Sequence, residues 1–277
     1  MQAEIVTMWV AVTLYALAAV GFASGFVFRF ENALTVGLGL SAAGLAVHAA
    51  GIAVRWVRVG HGPYLGFYEV VSSYAFFAVA IFLALAVRRR GLRVLGVAVM
   101  PVVFLFIGGA MLAPKADQAI TPTLASWWLN IHVLFAKLTY SSFIVAFALG
   151  VLFLLRAKGG LGRFAALEAK LPSQAVVDDL TFKFATVGFI FLGIMIAAGA
   201  IWANEAWGRY WDWDPIETWS LIAWLVYAVV LHLRLTMGWR GERFAWAVAA
   251  ALPIVLFAML GVPIVYDSIH GAYLKGV

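Results

Sequence analysis

The sequence contains no cysteine, which excludes thiol chemistry and thiolate ligation of a metal by this chain. Charged residues are scarce as well, because Asp, Glu, Lys and Arg make up only 12% of the 277 residues. With 65% hydrophobic residues and a mean hydropathy of +0.99, the chain lacks the polar surface of a soluble domain. The first ten residues, MQAEIVTMWV, lack the basic region of a signal peptide, so we expect the first apolar run to stay in the membrane.

Apolar runs long enough to cross a bilayer, which takes about 20 residues, occur eight times. Short polar segments with Gly, Pro or charge separate them. The runs cover residues 5–28, 33–56, 67–88, 92–112, 131–155, 181–203, 216–236 and 244–265. The sequence therefore predicts an all-α polytopic membrane protein, with residues 1–277 forming a single integral membrane domain.

The basic residues are distributed unequally between alternate connections. Thirteen of the nineteen Lys and Arg residues belong to one set: Arg29, Arg88, Arg89, Arg90, Arg93, Arg156, Lys158, Arg163, Lys170, Lys183, Arg234, Arg240 and Arg243. The other set is Arg55, Arg58, Lys115, Lys137, Arg209 and Lys275. By the positive-inside rule the larger set is cytoplasmic, and both termini face outward. The net charge of +6 is thus explained by topology, and no nucleic-acid partner is expected.

Six of the twelve tryptophans lie between Trp202 and Trp224. Trp prefers the membrane–water boundary, but an ordinary interfacial belt spreads a few residues over many helix ends. We call residues 202–217 the tryptophan-rich segment. It joins the sixth and seventh spans on the predicted outer face. We expect it to offer a flat aromatic surface to a large planar ligand with a polar edge.

The end of this segment also has the pattern of a helix start. Asp214 can act as the N-cap, Pro215 occupies the first helical position and Glu217 follows three residues after the cap. Helix capping and ligand binding both remain possible for the two acidic residues at this stage. Capping does not account for Trp207, Trp211 and Trp213.

Two histidines fall on the same predicted face as the tryptophan-rich segment. His132 begins the fifth span and His270 follows the eighth. A pair of neutral imidazoles can ligate haem iron from both axial sides, whereas a single interfacial histidine is usually a polar anchor. The sequence therefore makes His132 and His270 candidate iron ligands.

His232 lies about 25 Å along the seventh span, toward the predicted inner side. An ionisable residue at that depth is a functional candidate, although a histidine near a helix C-terminus also suits the helix dipole. His48, among small residues of the second span, is expected to serve packing. His61, in a loop with Gly60 and Gly62, is expected to be solvated.

Glu69 lies near the outer end of the third span. An acidic residue there can mark the first turn of the helix or pair with a basic residue on the same face, such as Arg55, Arg58 or Arg209. We expect its role to be structural.

The tryptophan-rich segment resembles the WWD signature of haem-handling membrane proteins through Trp207, Gly208, Trp211, Trp213, Asp214, Pro215 and Glu217. Within that superfamily, most of the chain resembles the CcsA/ResC subunit of the system II cytochrome c synthase. Pro63, Tyr68 and Glu69 match a Pro-x-x-Asn-x-Tyr-Glu-Ser stretch of that family. Gly66 and Val70 depart from it, which weakens any role for the stretch.

The resemblance implies a haem lyase that carries haem b across the plasma (inner) membrane and attaches it to the Cys-x-x-Cys-His segment of apocytochrome c. It implies a CcsB/ResB-type partner, and thiol-reducing proteins that keep the apocytochrome reduced. The implied iron ligands are His132 and His270 outside and His232 within the membrane. Trp207, Trp211, Trp213 and Asp214 are implied at the reaction site, and Trp202, Trp219 and Glu217 beside the haem.

Two other functions are compatible with parts of the sequence. A CcmC-type protein would load haem onto a chaperone, but such chains are expected to be shorter and to lack the Tyr68-Glu69 stretch. A small-solute transporter would bind no haem and would show no Soret band.

Overall fold

The computed structural model describes residues 2–28, 30–115, 117, 120–157, 168 and 171–267. Within these ranges, eight long helices follow one another: α1 Gln2–Val27, α2 Glu31–Val59, α3 Gly66–Arg88, α4 Gly96–Leu112, α5 Trp127–Ala157, α6 Gln174–Trp207, α7 Pro215–Leu235 and α8 Glu242–Leu256. A 3₁₀ turn, Arg90–Leu95, leads into α4, and α8 continues through a π turn to Val265. No β-strand occurs among these described residues.

The predicted spans are confirmed, because each apolar run coincides with one helix that is long and apolar enough to cross a membrane. In a bilayer a spanning segment must satisfy its own backbone groups, and a helix does so. The helices extend beyond the apolar runs by a few residues, since polar residues can continue a helix at the interface. Gly60 ends α2 with a left-handed conformation, and the Ser173 side chain caps α6.

The helices pack in two groups that meet at α5. The first four pack together, with α1 against α2 and α4, and α3 against α4. The last four form the second group, in which α5 packs against α6 and α8, and α7 packs against α6 and α8. Helix α5 also reaches α3. In its most apolar stretch of 18 residues, 78% are buried, the largest share of any span. The centre of the molecule is therefore α5.

Successive helices run in opposite directions, so the start of every odd helix and the end of every even helix lie at one face. The start of α3, the start of α5, the end of α6 and the start of α7 therefore converge, and residues from all four line a common cavity. This arrangement positions His132 and the tryptophan-rich segment near the same end of the bundle.

Candidate haem site at one end of the bundle

The tryptophan-rich segment comprises the end of α6, a turn over residues 208–214 and the start of α7. Gly208 ends α6 in the left-handed conformation, with φ at 75°, and its N–H donates to the Asn204 carbonyl at 2.9 Å. Trp213 also has a positive φ, of 58°, which is unusual for a bulky residue, and its side chain is 68% exposed. The turn thus holds an indole out at the molecular surface at a cost in backbone strain.

Asp214 and Glu217 form the predicted capping box. The Asp214 carboxylate accepts a hydrogen bond from the Ile216 N–H at 2.9 Å. The Glu217 carboxylate accepts from the N–H groups of Asp212 and Asp214, at 2.9 and 3.3 Å. Both acids thereby fix the backbone that carries Trp211 and Trp213, and the capping interpretation is confirmed.

The indoles of the segment do not form the flat surface expected from the sequence. The rings of Trp211 and Trp213 are 5.7 Å apart and perpendicular, at 89°. Trp207 meets Trp202 edge-on at 5.0 Å and 61°, while Trp219 packs against Phe257 of the π turn at 4.6 Å. Edge-to-face contacts are a favoured geometry of aromatic pairs, so the paired rings do not lie in one plane.

Trp202 is the buried tryptophan of the segment, with only 3% of the residue exposed. Its Nε1–H donates to the Thr123 carbonyl at 2.8 Å, which satisfies the polar atom of an otherwise apolar ring. The ring lies 6.4 Å from that of His132, tilted by 32°. The structure therefore brings together two predicted site residues that are 70 positions apart in the sequence.

The imidazole of His132 has a defined orientation. Its Nδ1 lies 2.8 Å from the Met195 carbonyl oxygen on α6. Since a carbonyl oxygen only accepts, Nδ1 must carry the proton, and Nε2 is the nitrogen that can bind a metal. A backbone carbonyl on the second ring nitrogen is also the usual support of a ligating histidine.

His132 and Trp202 line a cavity of about 140 Å³. Most of its other walls are apolar, with Leu65, Leu124 and Met195 among them. The volume is below the ~300–1,000 Å³ of pockets that enclose drug-sized ligands, so a whole porphyrin cannot lie inside. The space does admit one apolar edge of a planar ligand. The residues fit haem if its ring stands at the opening, with the iron toward His132.

The loop between α2 and α3 forms one wall of this cavity through Tyr64 and Leu65. The Leu65 N–H donates to the Glu69 carboxylate at 2.9 Å, and Lys137 of α5 donates to the Pro63 carbonyl at 2.9 Å. Lys137, counted as a connection residue from the sequence, is in fact inside α5 and only 6% exposed. The sequence singled out Pro63 and Glu69 but did not predict that this loop borders the cavity or that Lys137 binds it.

A buried ionic cluster anchors the same loop to the first two helices. Arg55 pairs with Glu69 at 2.5 Å and with Glu4 at 3.0 Å, and Arg58 pairs with Glu4 at 2.7 Å and with Asp117. The expected structural role of Glu69 is confirmed. By their charge and their predicted face, Arg55 and Arg58 are also candidates to bind the haem propionates. In the structure both already pair with carboxylates of the protein.

Two further histidines are buried. His61 was expected to be solvated, which is wrong: it is 3% exposed, and its Nδ1 lies 2.8 Å from the Gly62 carbonyl oxygen. The α2–α3 loop folds inward and takes His61 with it. His48 is fully buried, with Tyr15 at 3.3 Å and the Phe76 ring beside it, as expected for a packing residue.

His232 lies at the far end of α7 from the cavity and is exposed on the outside of the bundle. Thr236 is 3.3 Å from its Nδ1. The neighbouring Arg234 instead faces inward and pairs with Asp178 at 2.7 Å. His270 is outside the described residues. Among those that are described, no group of three or more His, Asp or Glu side chains could hold a metal ion.

Comparison with known proteins identifies the family of this chain. Residues 64–270 match the profile of the cytochrome c assembly protein family. The chain is 31% identical to the cytochrome c biogenesis protein CcsA of Guillardia theta, and the alignment covers 92% of this chain and 91% of the relative. The protein belongs to the cytochrome c assembly family and is of the CcsA type.

Other CcsA proteins are similarly close to this member of the family. The CcsA of Synechococcus elongatus is 32% identical, over 84% of this chain and 85% of the relative. That of Chlamydomonas reinhardtii is 36% identical over 79% of this chain, and 63% of the algal protein is covered. The structure of the cytochrome c haem lyase CcmF has the same fold, with a TM-score of 0.69 at 16% identity. It matches 99% of this chain, which spans about half (48%) of CcmF.

Proposed function

We propose that this protein is the haem-delivering subunit of a cytochrome c synthase. Its substrate is haem b, which it carries across the plasma (inner) membrane and presents at the outer face to the Cys-x-x-Cys-His segment of apocytochrome c. The observation that carries the proposal is His132, whose Nε2 is the metal-binding nitrogen and whose ring borders an apolar cavity beside the WWD segment.

At the outer site His132 and His270 are the axial ligands of the haem iron. The apolar cavity between His132 and Trp202 takes one edge of the porphyrin, which keeps that edge out of water. Trp207, Trp211 and Trp213 surround the rest of the ring, and Trp219, which packs against Phe257, lies beside the haem. Asp214 and Glu217 act through the backbone, because their carboxylates are bound to N–H groups of the turn.

The reaction is an addition. The sulfur of each apocytochrome cysteine bonds to one carbon of a haem vinyl group, the hydrogen goes to the other carbon, and nothing leaves. The protein contributes orientation and exclusion of water, not a reacting group. The absence of cysteine in this chain agrees with that division, since the thiols belong to the substrate and are kept reduced by separate thiol-reducing proteins.

Within the membrane, His232 binds haem on the side of α7 that faces away from the other helices of the bundle. Because His232 is exposed on the bundle surface, a haem bound there lies between this chain and a neighbouring one. A CcsB/ResB-type partner supplies the second axial ligand, and the complex of the two proteins encloses the haem.

The test is co-expression with a CcsB/ResB-type partner and a reporter apocytochrome, in a strain without its own maturation system. We expect covalent holocytochrome, and a Soret band in the purified complex. A Soret band without holocytochrome, but with haem passed to a separate chaperone, would favour a CcmC-type function. Absence of any haem spectrum would favour a small-solute transporter and overturn the proposal.

A further inference from the structure

His132 lies against α6 at a position where α6 has no side chain. A Cβ atom added at Gly199 would be 2.6 Å from His132 Nδ1 and 3.0 Å from its Cε1. Real Cβ atoms essentially never approach a heavy atom that closely. Glycine is therefore the only residue type at position 199 that is compatible with the observed position of the imidazole.

Residues before and after Gly199 on α6 also contact the imidazole or lie beside it. The Met195 carbonyl, one helical turn earlier, accepts the Nδ1 proton at 2.8 Å. Trp202, three residues later on the same face of α6, lies beside the imidazole and lines the same cavity. One face of α6 thus supplies a hydrogen-bond acceptor at Met195, space for the imidazole at Gly199 and an aromatic ring at Trp202.

This face of α6 both binds the imidazole and makes room for it. The hydrogen bond to Met195 directs Nδ1 toward α6, and the absence of a side chain at Gly199 leaves the space that the ring occupies. Any side chain at position 199 must push Nδ1 away from its acceptor, which turns Nε2 in the opposite direction. Glycine is less favourable than alanine inside a helix, so helix formation does not favour it here, whereas the close approach of His132 does.

We propose that Gly199 is a positioning residue for the haem iron ligand, acting through His132. The proposal rests on the proposed function, because it holds that Gly199 lets His132 direct Nε2 toward the iron. Gly199 contacts no reacting atom itself. It determines whether α6 and α5 can hold the axial imidazole in one orientation.

The test is Gly199→Ala in the complex with the partner. We expect normal accumulation, because alanine favours the helix, together with an altered Soret band and a shifted haem reduction potential. Misplacing a reacting group by about 1 Å can lower a rate about a hundredfold, so holocytochrome yield should fall between about tenfold and a hundredfold. The matched control is Gly109→Ala on α4, where an added Cβ meets nothing within 4 Å. A wild-type spectrum and yield in Gly199→Ala would overturn the inference.

A second variant separates positioning from helix packing. In His132→Gly supplied with imidazole, the free ligand is not tethered to α5 and can shift away from a new methyl group. Adding Gly199→Ala to His132→Gly should then change the rescued yield by less than about twofold, since additivity fails when one residue acts through another. An equal loss in both backgrounds would assign Gly199 to packing alone.

The remaining outcomes are also decisive. If Gly199→Ala fails to accumulate, the double variant with His132→Gly must accumulate again, because the clash has been removed. Failure of both proteins to accumulate would reject a contact acting through His132. If instead His132→Gly keeps its haem spectrum and its activity, the proposed function loses its ligand, which is a different result from a silent Gly199→Ala.

Discussion

At the residue scale, the polar atoms of the candidate haem site have partners within the protein. His132 donates from Nδ1 to Met195, and Trp202 donates from Nε1 to Thr123. Asp214 and Glu217 accept from the turn that carries Trp211 and Trp213. The bond from Nδ1 makes Nε2 the metal-binding nitrogen of His132, and the bonds of the two acids fix the turn that carries the exposed Trp213.

The acids and indoles of the WWD segment should respond differently to substitution. Asp214→Asn and Asp214→Ser keep a cap and should retain holocytochrome yield. Asp214→Ala removes the cap, at a cost of about 0.5–2 kcal/mol, and should lower it by disordering the turn. The double variant Trp207→Ala/Trp211→Ala should lose haem at the outer site. The measurement is holocytochrome yield beside the Soret absorbance. A wild-type yield from the tryptophan double variant would remove those rings from the mechanism.

The three histidines should be distinguishable by imidazole rescue, because imidazole can occupy a position vacated by glycine. His132→Gly and His270→Gly should lose cytochrome assembly and regain part of it, since their site is at the outer end. His232→Gly should lose the haem held in the membrane, with weaker rescue because imidazole must reach a site about 25 Å along the helix. Quantifying protein level beside activity is the control, since a structural histidine would lower the level and gain nothing from imidazole. Three variants with normal haem spectra would refute ligation.

At the element scale, the α2–α3 loop is held over the cavity by buried polar contacts from two directions. Lys137 binds it from α5, while Glu69 links it through Arg55 to Glu4 of α1. Buried ion pairs add little net stability, but losing one partner is costly because the other charge remains buried. The cluster thus ties the first two helices, which lie outside residues 64–270, to the part of the chain that matches the family.

Breaking this anchor should loosen the cavity wall. Glu69→Gln should destabilise the protein by about 3 kcal/mol, because Arg55 loses a buried carboxylate. Lys137→Met should preserve more stability but free the loop, and it should weaken haem retention. Lys183→Met is the matched control, since Lys183 pairs with Asp179 on the exposed side of α6 and such pairs contribute at most about 1 kcal/mol. Thermal unfolding in detergent measures the first effect, and haem loss during purification measures the second. Equal behaviour of Lys137→Met and Lys183→Met would contradict the anchor.

At the scale of the whole molecule, the candidate site with His132 and Trp202 lies at one end of the bundle, and His232 lies toward the opposite end. The charge asymmetry that predicts the orientation of the protein becomes larger once Lys137 is recognised as buried within α5, because it then leaves the smaller set. The outward orientation of the tryptophan-rich segment remains a prediction.

Reporter fusions test that orientation directly. Fusions after Lys115, at Arg209 and at the C-terminus should be active outside the cytoplasm, because they follow the connections that are poor in basic residues. Fusions after Arg90, Lys158 and Arg240 should report the cytoplasm. The reverse pattern would place the WWD segment inside and defeat the proposed attachment of haem at the outer face.

The sequence alone determined the features that depend on local chemistry. Twenty-residue apolar runs become helices because a bilayer leaves their backbone no other partner, and all eight were predictable. The capping box at Asp214 and Glu217 depends on residues three apart, so it too could be read directly. The candidate haem ligand His132 was found from its type and its predicted face.

Only the tertiary structure decided which helix faces which. Lipid and protein interiors are about equally apolar, so hydropathy does not tell which side of a span meets a neighbour. For that reason the sequence could not place Lys137 under the loop, bury His61, turn His232 to the bundle surface or set Gly199 against His132. The perpendicular indoles of Trp211 and Trp213 likewise follow from the left-handed backbone at Trp213, which the capped start of α7 holds in place.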